Sequence, residues 1–361
     1  MLKIAFLIGK LSCGGAERVV CRLANAMSAR GDEVTIMTLD SAPPYYEVSS
    51  KVSRIPLGVY GKSDTYAEAS ANFIKRVLLV RRGVRAIKPD VLFSFIDETN
   101  VLASLAVIGT GVPVGVCIRN DPWHYDMSLF WRLMRRLAYP LADCMVTQTD
   151  DAKSFYEGTV KNIFVIPNPV APWASVCTKP HRYPRPTLLA IGKLHRQKGH
   201  DLLLQAFAAI TEKYADWDLF ILGDGEERRA LERQVAALGL ERKVSMPGMV
   251  PDVTPYLLGA DCFVMASRFE GFSNALCEAM ATGLPLVASD CQGNKDIVTH
   301  DKDGLVVPVG DVAALTHALD TLLGDEALRC RLGAQARSIV DRFSFPVVLG
   351  LWDEVIASVT H

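Results

Sequence analysis

No stretch of this 361-residue sequence reaches about 18 uncharged apolar residues, so no helix is expected to span a bilayer. The apolar start MLKIAFLIGK runs only from Ile4 to Ile8 before Lys10 interrupts it. That is too short for a signal peptide, and Cys13 lacks the upstream leucine spacing of a lipoprotein site. The segment reads as a first buried strand. A formal net charge of −1 leaves no global field to draw the chain to nucleic acid. The nine cysteines (Cys13, Cys21, Cys117, Cys144, Cys177, Cys262, Cys277, Cys291, Cys330) are odd in number, widely spaced and without a CxxC pair. Most sit in apolar runs, where cysteine behaves as a small hydrophobe, and a reducing cytoplasm is the simplest setting. The seven histidines show no paired metal spacing; His124, His195 and His200 stand alone. Two Asp-x-Asp triplets, Asp216-Trp217-Asp218 and Asp301-Lys302-Asp303, read respectively as the lead into a strand and as a turn before Gly304. Two carboxylates alone rarely complete a metal site, so neither metal nor cofactor is expected.

The composition is that of a globular protein, 50% hydrophobic and 22% charged, and the length suggests two domains. Charge is uneven: residues 1–165 hold 20 Lys and Arg against 16 Asp and Glu, residues 166–361 hold 19 against 24. Short apolar runs alternate with longer amphipathic stretches. Ile4–Ile8, Val34–Leu39, Val91–Phe95, Val114–Ile118, Cys144–Val146 and Ile163–Ile166 are expected strands; Ala16–Ser28 and Asn72–Ile87 are helical patterns. Strands apolar throughout are buried on both faces, as in a parallel sheet with helical crossovers. The proline-rich segment 167–186 reads as a linker. The alternation then restarts, with strands at Thr187–Ile191, Leu219–Leu222, Lys243–Met246, Cys262–Met265, Leu286–Ala288 and Leu305–Val307. Helical patterns follow at Asp201–Tyr214, Glu226–Leu238, Asn274–Thr282 and Val312–Leu323. Two doubly wound α/β domains are expected, 1–166 and 187–344, facing each other across a cleft, because open parallel sheets bind ligands beyond their strand carboxyl ends.

Three segments carry chemistry. The first, Gly9 to Arg18 with Gly14 and Gly15, follows the first strand and opens the first helix. Its spacing fits neither the dinucleotide fingerprint nor the P-loop. It is either an anion site at a helix N-terminus or a tight strand–helix turn that needs glycine. The second, Gly192 to His200, brings Lys193, Arg196 and Lys198 to a strand's carboxyl end. Fixed cations there would stabilise a departing diphosphate without a metal; otherwise this is a solvated loop. The third, Ser267 to Pro285, places Glu270 before a helix and Glu278 inside it. Ser273 or Asn274 can cap that helix and leave free N–H groups for an oxyanion. Glu270 can accept from a sugar hydroxyl and Glu278 from a ribose hydroxyl pair. The alternative is a solvated Glu270 and a salt-bridged Glu278, although the apolar helix around Glu278 makes an uncompensated charge costly.

Taken together, these motifs resemble the retaining GT-B glycosyltransferases of family 4, over essentially the whole chain. The matching segments are Gly14-Gly15-Ala16-Glu17, Gly192-Lys193 with Gln197-Lys198-Gly199, Gly223-Asp224-Gly225, Glu270-x7-Glu278 and Asp303 to Pro308. The pattern looks closest to bacterial enzymes that add N-acetylhexosamines to lipid-linked or surface glycans, including lipopolysaccharide. The resemblance implies a metal-independent hexosyl or N-acetylhexosaminyl transfer with retained configuration. Lys193 and Lys198 would hold the diphosphate of a nucleotide-sugar, a uridine diphosphate sugar on this reading. The family usually has Arg where Lys193 stands. Gly271, Phe272, Ser273 and Asn274 with Glu270 would surround the donor sugar and phosphate, Glu278 the ribose, and backbone near Val250 the base. Many relatives carry a His after the strand ending at Ile118. This chain has Arg119-Asn120-Asp121, which leaves Arg119 and Asn120 to orient the acceptor or stabilise the phosphate. Residues 345–361 would form a helix crossing back to the first domain, which holds the acceptor.

A nucleotide-sugar epimerase of the same architecture, or a non-catalytic nucleotide-sugar-binding module, are the other functions compatible with these motifs. Residues 74–88, IKRVLLVRRGVRAIK, carry six cations and no acid, and Phe130-Trp131-Arg132-Leu133-Met134-Arg135-Arg136 again joins aromatics to cations. Val77, Leu78, Val80 and Val84 form an apolar face at helical spacing. Such stretches fit either an anionic membrane surface, making the protein peripheral on the inner face of the cytoplasmic membrane, or crossover helices with solvated cations.

Overall fold

The computed structural model describes residues 1–61, 66–170 and 179–360. The chain divides into two compact units, Met1–Asn168 with Val348–His361, and Pro169–Val347. Of the proline-rich segment 167–186, residues 171–178, with Cys177, lie outside the described residues.

The first unit is built on strands β1 (Lys3–Ile8), β2 (Glu33–Thr38), β3 (Ser53–Pro56), β4 (Val91–Phe95), β5 (Val114–Cys117), β6 (Cys144–Thr147) and β7 (Ile163–Val165). They form one parallel sheet in the order β3-β2-β1-β4-β5-β6-β7. Helices α1 (Gly15–Ala29), α2 (Tyr66–Ile87), α3 (Asp97–Ala106), α4 (Leu129–Ala138) and α5 (Asp150–Phe155) connect the strands. Strand β1 explains the apolar runs. Its Ile4, Phe6 and Ile8 pack with Val20, Leu23 and Met27 of α1, while Ala5 and Leu7 point the other way, to Val80 and Val84 of α2 and Leu102 of α3. Both faces are buried, so alternation disappears.

The second unit repeats the plan. Strands β8 (Thr187–Ile191), β9 (Asp218–Leu222), β10 (Val244–Gly248), β11 (Cys262–Met265), β12 (Leu286–Ser289) and β13 (Leu305–Val307) form a parallel sheet in the order β10-β9-β8-β11-β12-β13. Its helices are α6 (His200–Ala208), α7 (Arg228–Ala237), α8 (Thr254–Gly259), α9 (Asn274–Thr282), α10 (Gln292–Lys295), α11 (Val312–Gly324), α12 (Glu326–Ala336) and α13 (Ile339–Arg342). The last helix, α14 (Phe345–Val359), buries Val348, Trp352, Val355 and Ile356 in the core of the first unit, with Trp352 edge-on to Phe93 at 5.0 Å. In each sheet the strand order reverses at one point, between β1 and β4 and between β8 and β11, where doubly wound folds bind ligands.

Several elements differ from their sequence reading. Helix α2 begins at Tyr66, six residues earlier than its apolar pattern. Helix α6 stops at Ala208, short of the expected Tyr214, and turns carry the buried Ile210 and Tyr214 that continue its apolar pattern. The side chain of Thr211 bonds back to the carbonyl of Phe207, competing with the helical ladder there. Strand β3, an edge strand of sequence SRIP, has too few apolar residues to register. The Asp301-Lys302-Asp303 triplet is a turn: Asp301 has φ 61°, and buried Asp303 accepts the Thr299 amide at 2.7 Å. Asp216-Trp217-Asp218 leads into β9 with Trp217 buried. Among the described residues no helix is long and apolar enough to cross a membrane.

Candidate active site

The carboxyl end of β8 continues into the loop 192–199, and that of β11 into the loop 266–273. The two loops are tied together at the reversal point of the second sheet. The Arg268 amide donates to the Gln197 carbonyl at 2.7 Å, and the Gln197 side chain to the Phe269 carbonyl at 2.9 Å. The Arg268 guanidinium grips Asp201 with two bonds of 2.8 and 2.7 Å, a fork geometry that also fixes direction. Gly199 sits between them at φ 64°, where a Cβ would come 2.0 Å from the Ala266 carbonyl oxygen. Both the backbone conformation and the close approach require glycine there.

These ties bring Lys198 and Glu270 together. Lys198 Nζ donates to Glu270 Oε1 at 2.5 Å, and the hydroxyl of fully buried Ser267 donates to the same oxygen at 2.7 Å. Among the described residues, Glu270 Oε2 accepts no hydrogen bond. A buried carboxylate without partners would be costly; here the ion pair and the hydroxyl compensate it through one oxygen and leave the other free. The negative charge is felt nearby: burial, and after it Glu270, push the Cys291 thiol up to about 12. Next to Glu270, Ser273 caps α9 by accepting the Leu276 amide at 3.3 Å. Glu278 is buried further along the same helix, and Phe272 packs on Phe343 at 5.7 Å. Lys193 is exposed and forms no ion pair among the described residues, and Val250 is half-buried beyond β10. His200 is buried at the start of α6, its Nε2 without a partner among the described residues; burial, with Lys198 adding to it, lowers its pKa to about 4.

Two family models match the chain: that of Glycosyltransferase Family 4 over residues 13–173 and that of Glycosyl transferases group 1 over residues 185–325. The chain belongs to these glycosyltransferases. Its two parallel-sheet Rossmann-like units are the GT-B fold. It is 29% identical, over 100% of both chains, to the GalNAc-α-(1→4)-GalNAc-α-(1→3)-diNAcBac-PP-undecaprenol α-1,4-N-acetyl-D-galactosaminyltransferase of Campylobacter jejuni. Among solved structures it resembles a sucrose-phosphate synthase from Thermosynechococcus elongatus, with a TM-score of 0.83, 20% identity, and 99% and 100% of the two chains covered. It also resembles Anabaena Alr3699/HepE in complex with UDP, with a TM-score of 0.77, 18% identity, and 99% and 100% covered.

In the first unit of this glycosyltransferase, the glycine-rich loop after β1 is occupied by its own helix. The Glu17 carboxylate, held by the Ser12 hydroxyl at 3.0 Å, lies 2.1 Å from where a Gly14 Cβ would stand. The N-terminus of α1 therefore already faces a negative charge. Arg119, after β5, is half-buried over the rings of Phe95 (5.0 Å) and Trp352 (5.8 Å). Its Nη1 donates to Asn168 at 3.2 Å, while Nε and Nη2 are buried without a hydrogen-bond partner among the described residues. Burial pushes its pKa below the ordinary guanidinium value. Asn120 donates to buried Asp97 at 3.0 Å, and Asp97 also accepts the Tyr139 hydroxyl at 2.7 Å and lies 3.6 Å from Arg135. Ile96, one residue earlier, has φ 77°, a strained conformation for a β-branched residue.

The second unit thus joins Lys198, Glu270 and Ser273 with the start of α9, and leaves Lys193 to solvent. Sequence reasoning missed Asp97, Ser289 and Asn294 and gave Ser267 no role. The available signal was a polar residue at or just after the end of an apolar strand: Asp97 follows Phe95 and Ile96, and Ser289 follows Ala288.

Proposed function

We propose that this glycosyltransferase moves an N-acetylhexosamine or hexose, with retained configuration, from a uridine diphosphate sugar to a lipid-linked glycan. The second unit takes the donor and the first the acceptor. The observation that carries this reading is the Lys198–Glu270 pair beside the start of α9. A diphosphate gains negative charge as the sugar bond breaks, and Lys198, exposed Lys193 and the α9 amides at Ser273 and Asn274 supply positive potential. Metal-independent turnover follows, and activity would survive a strong chelator. Glu270 offers Oε2 to a donor-sugar hydroxyl. Gly271 and Phe272 complete the sugar wall, Glu278 takes the ribose, and backbone at Val250 reads the base. Gly14 and Gly15, at the start of α1, offer backbone N–H groups to an anionic part of the substrate once Glu17 yields. Arg119, a cation with donor positions unfilled among the described residues, and Asn120 face the acceptor.

The donor and acceptor classes draw on the relatives: the Campylobacter enzyme's name specifies an undecaprenol-linked acceptor and N-acetylgalactosamine transfer, and the Anabaena structure holds UDP. The acceptor's lipid would bring the protein to the inner face of the cytoplasmic membrane as a peripheral protein. Helix α4 suits that surface. Its Leu129, Leu133 and Leu137 are 76%, 52% and 59% exposed, beside exposed Arg132 and Arg136. A basic amphipathic helix of this kind lies in a lipid interface.

Titration calorimetry with UDP and with UDP-N-acetylgalactosamine tests the site. Glu278→Ala is expected to weaken UDP itself, and Glu270→Ala to erase the contribution of the sugar while UDP binds as before. Unchanged UDP affinity in the Glu278 variant would remove that residue from the ribose.

A further inference from the structure

We infer that Ser267, Ser289 and Asn294 are positioning residues that set the orientation of the Glu270 carboxylate; this rests on the donor-site reading above and adds to it the machinery that aims the carboxylate. Asn294, at the third position of α10 and only 1% exposed, donates through Nδ2 to the Ser289 carbonyl at 3.0 Å. The Ser289 hydroxyl, at the end of β12, donates to the Ser267 carbonyl at 2.5 Å. The Ser267 hydroxyl then donates to Glu270 Oε1 at 2.7 Å. One buried hydroxyl, that of Ser267, therefore ends on the carboxylate oxygen, and buried Ser289 and Asn294 from two further segments fix the backbone behind it. The backbone is equally close: a Cβ on Gly293 would lie 2.6 Å from the Glu270 carbonyl oxygen and 2.8 Å from its Cβ. Helix α10 is thus pressed against the residue it orients.

Lys198 cannot perform this task. An ammonium on a four-carbon stem is a point charge with many rotamers, and a bound diphosphate competes for it. Ser267 is short, fully buried and fixed by its own carbonyl bond, so its hydroxyl keeps hold of Oε1 when Lys198 turns to the phosphates. A connected buried network gives Glu270 one preferred rotamer. That rotamer leaves Oε2 as the free acceptor, which an ionised carboxylate offers only to a hydrogen-bond donor on the sugar. Positioning of this kind acts on the reacting sugar and leaves the nucleotide end untouched.

The test combines Ser267→Ala, which keeps the volume of the site, with Glu270→Gln and the double variant. Calorimetry with UDP and UDP-N-acetylgalactosamine is paired with the rate of UDP release from the nucleotide-sugar. Ser267→Ala is expected to lower turnover about 10- to 100-fold, with UDP affinity unchanged and the added affinity of the sugar reduced. In the Glu270→Gln background the same substitution is expected to change turnover by less than about twofold, the non-additivity of residues that act through one another. Ser289→Ala, one link further back, is expected to reproduce the pattern more weakly. If Ser267→Ala retains wild-type turnover while Glu270→Gln is impaired, the positioning role is wrong and the donor-site reading stands. If the Ser267 and Glu270 effects multiply, or if UDP affinity falls together with turnover, Ser267 is merely structural. Wild-type turnover in Glu270→Gln overturns both.

Discussion

Lys198 holds two positions in the energetics of the second unit. It is the counter-charge that makes a buried Glu270 tolerable, and it is the cation proposed for the diphosphate. Removing one partner of a buried pair leaves the other uncompensated, so Lys198→Met is expected to lower stability by on the order of 2 kcal/mol as well as turnover. Adding Glu270→Gln is expected to restore the stability and not the activity; thermal unfolding of the single and double variants checks this. An equal loss of stability in the double variant would mean that the pair is not what the site depends on. His200 makes a second prediction. Its folded pKa of about 4 lies below the ordinary value of 6.5, so the unfolded chain binds the extra proton first and stability rises with pH across that window. The stability is complete above about pH 6.5 and drains away as the pH falls towards 4, a loss of up to about 3 kcal/mol. Chemical denaturation at pH 7, 6, 5 and 4 is expected to show a steeper decline in the wild type than in His200→Asn. Parallel declines would remove His200 as the cause.

At the scale of elements, α2 and α4 divide between them the two readings that both sequences allowed. Both join apolar residues to cations, but Val80 and Val84 of α2 are fully buried against the first sheet, and Arg76 and Arg81 bond to backbone carbonyls of the loop before α2 and the end of α3. In α4, Trp131 and Met134 pack inward, while Leu129, Leu133 and Leu137 remain outside. Leu133→Asp with Leu137→Asp is therefore expected to abolish salt-sensitive sedimentation with vesicles containing anionic phospholipid and to leave the unfolding temperature nearly unchanged. Wild-type protein remaining in the supernatant with anionic and neutral vesicles, at low and high salt, would contradict a membrane role. The same contrast explains what the sequence made legible. The central strands, such as β1, β4, β5, β6, β11 and β12, were legible because two-sided burial writes an apolar run, whereas edge strand β10, with Ser245 exposed, is not buried on both faces. Helix α4 was readable only as a mixture of aromatics and cations, since its exposed leucines do not reveal which side the core takes. The links from Asn294 through Ser289 to Ser267 lay outside any pattern, because each is a short polar residue whose partner is set by tertiary packing of separate loops. Glu270 and Lys198 were legible as a motif, but their mutual pairing was not.

For the molecule as a whole, two parallel-sheet units, each with one reversal of strand order, give one chain two places to bind beyond strand ends. The second unit carries the paired lysine and carboxylate beside a capped helix. The first carries Arg119, with donor positions unfilled among the described residues, and next to it in sequence Asn120 of the buried Asp97 network. A transferase needs such a division, since donor and acceptor must be held at once. An epimerase needs only the donor, and a binding module no turnover at all. The deciding measurement is therefore product analysis. The protein is incubated with UDP-N-acetylgalactosamine and an undecaprenyl-diphosphate-linked glycan, and the lipid fraction is followed by mass spectrometry. The expected result is an acceptor heavier by one N-acetylhexosamine residue, with UDP released in equal amount and the new linkage in the α configuration of the donor. An unchanged acceptor, with either an altered free sugar or a bound, unreacted nucleotide-sugar, would contradict the transferase function for this pair of substrates.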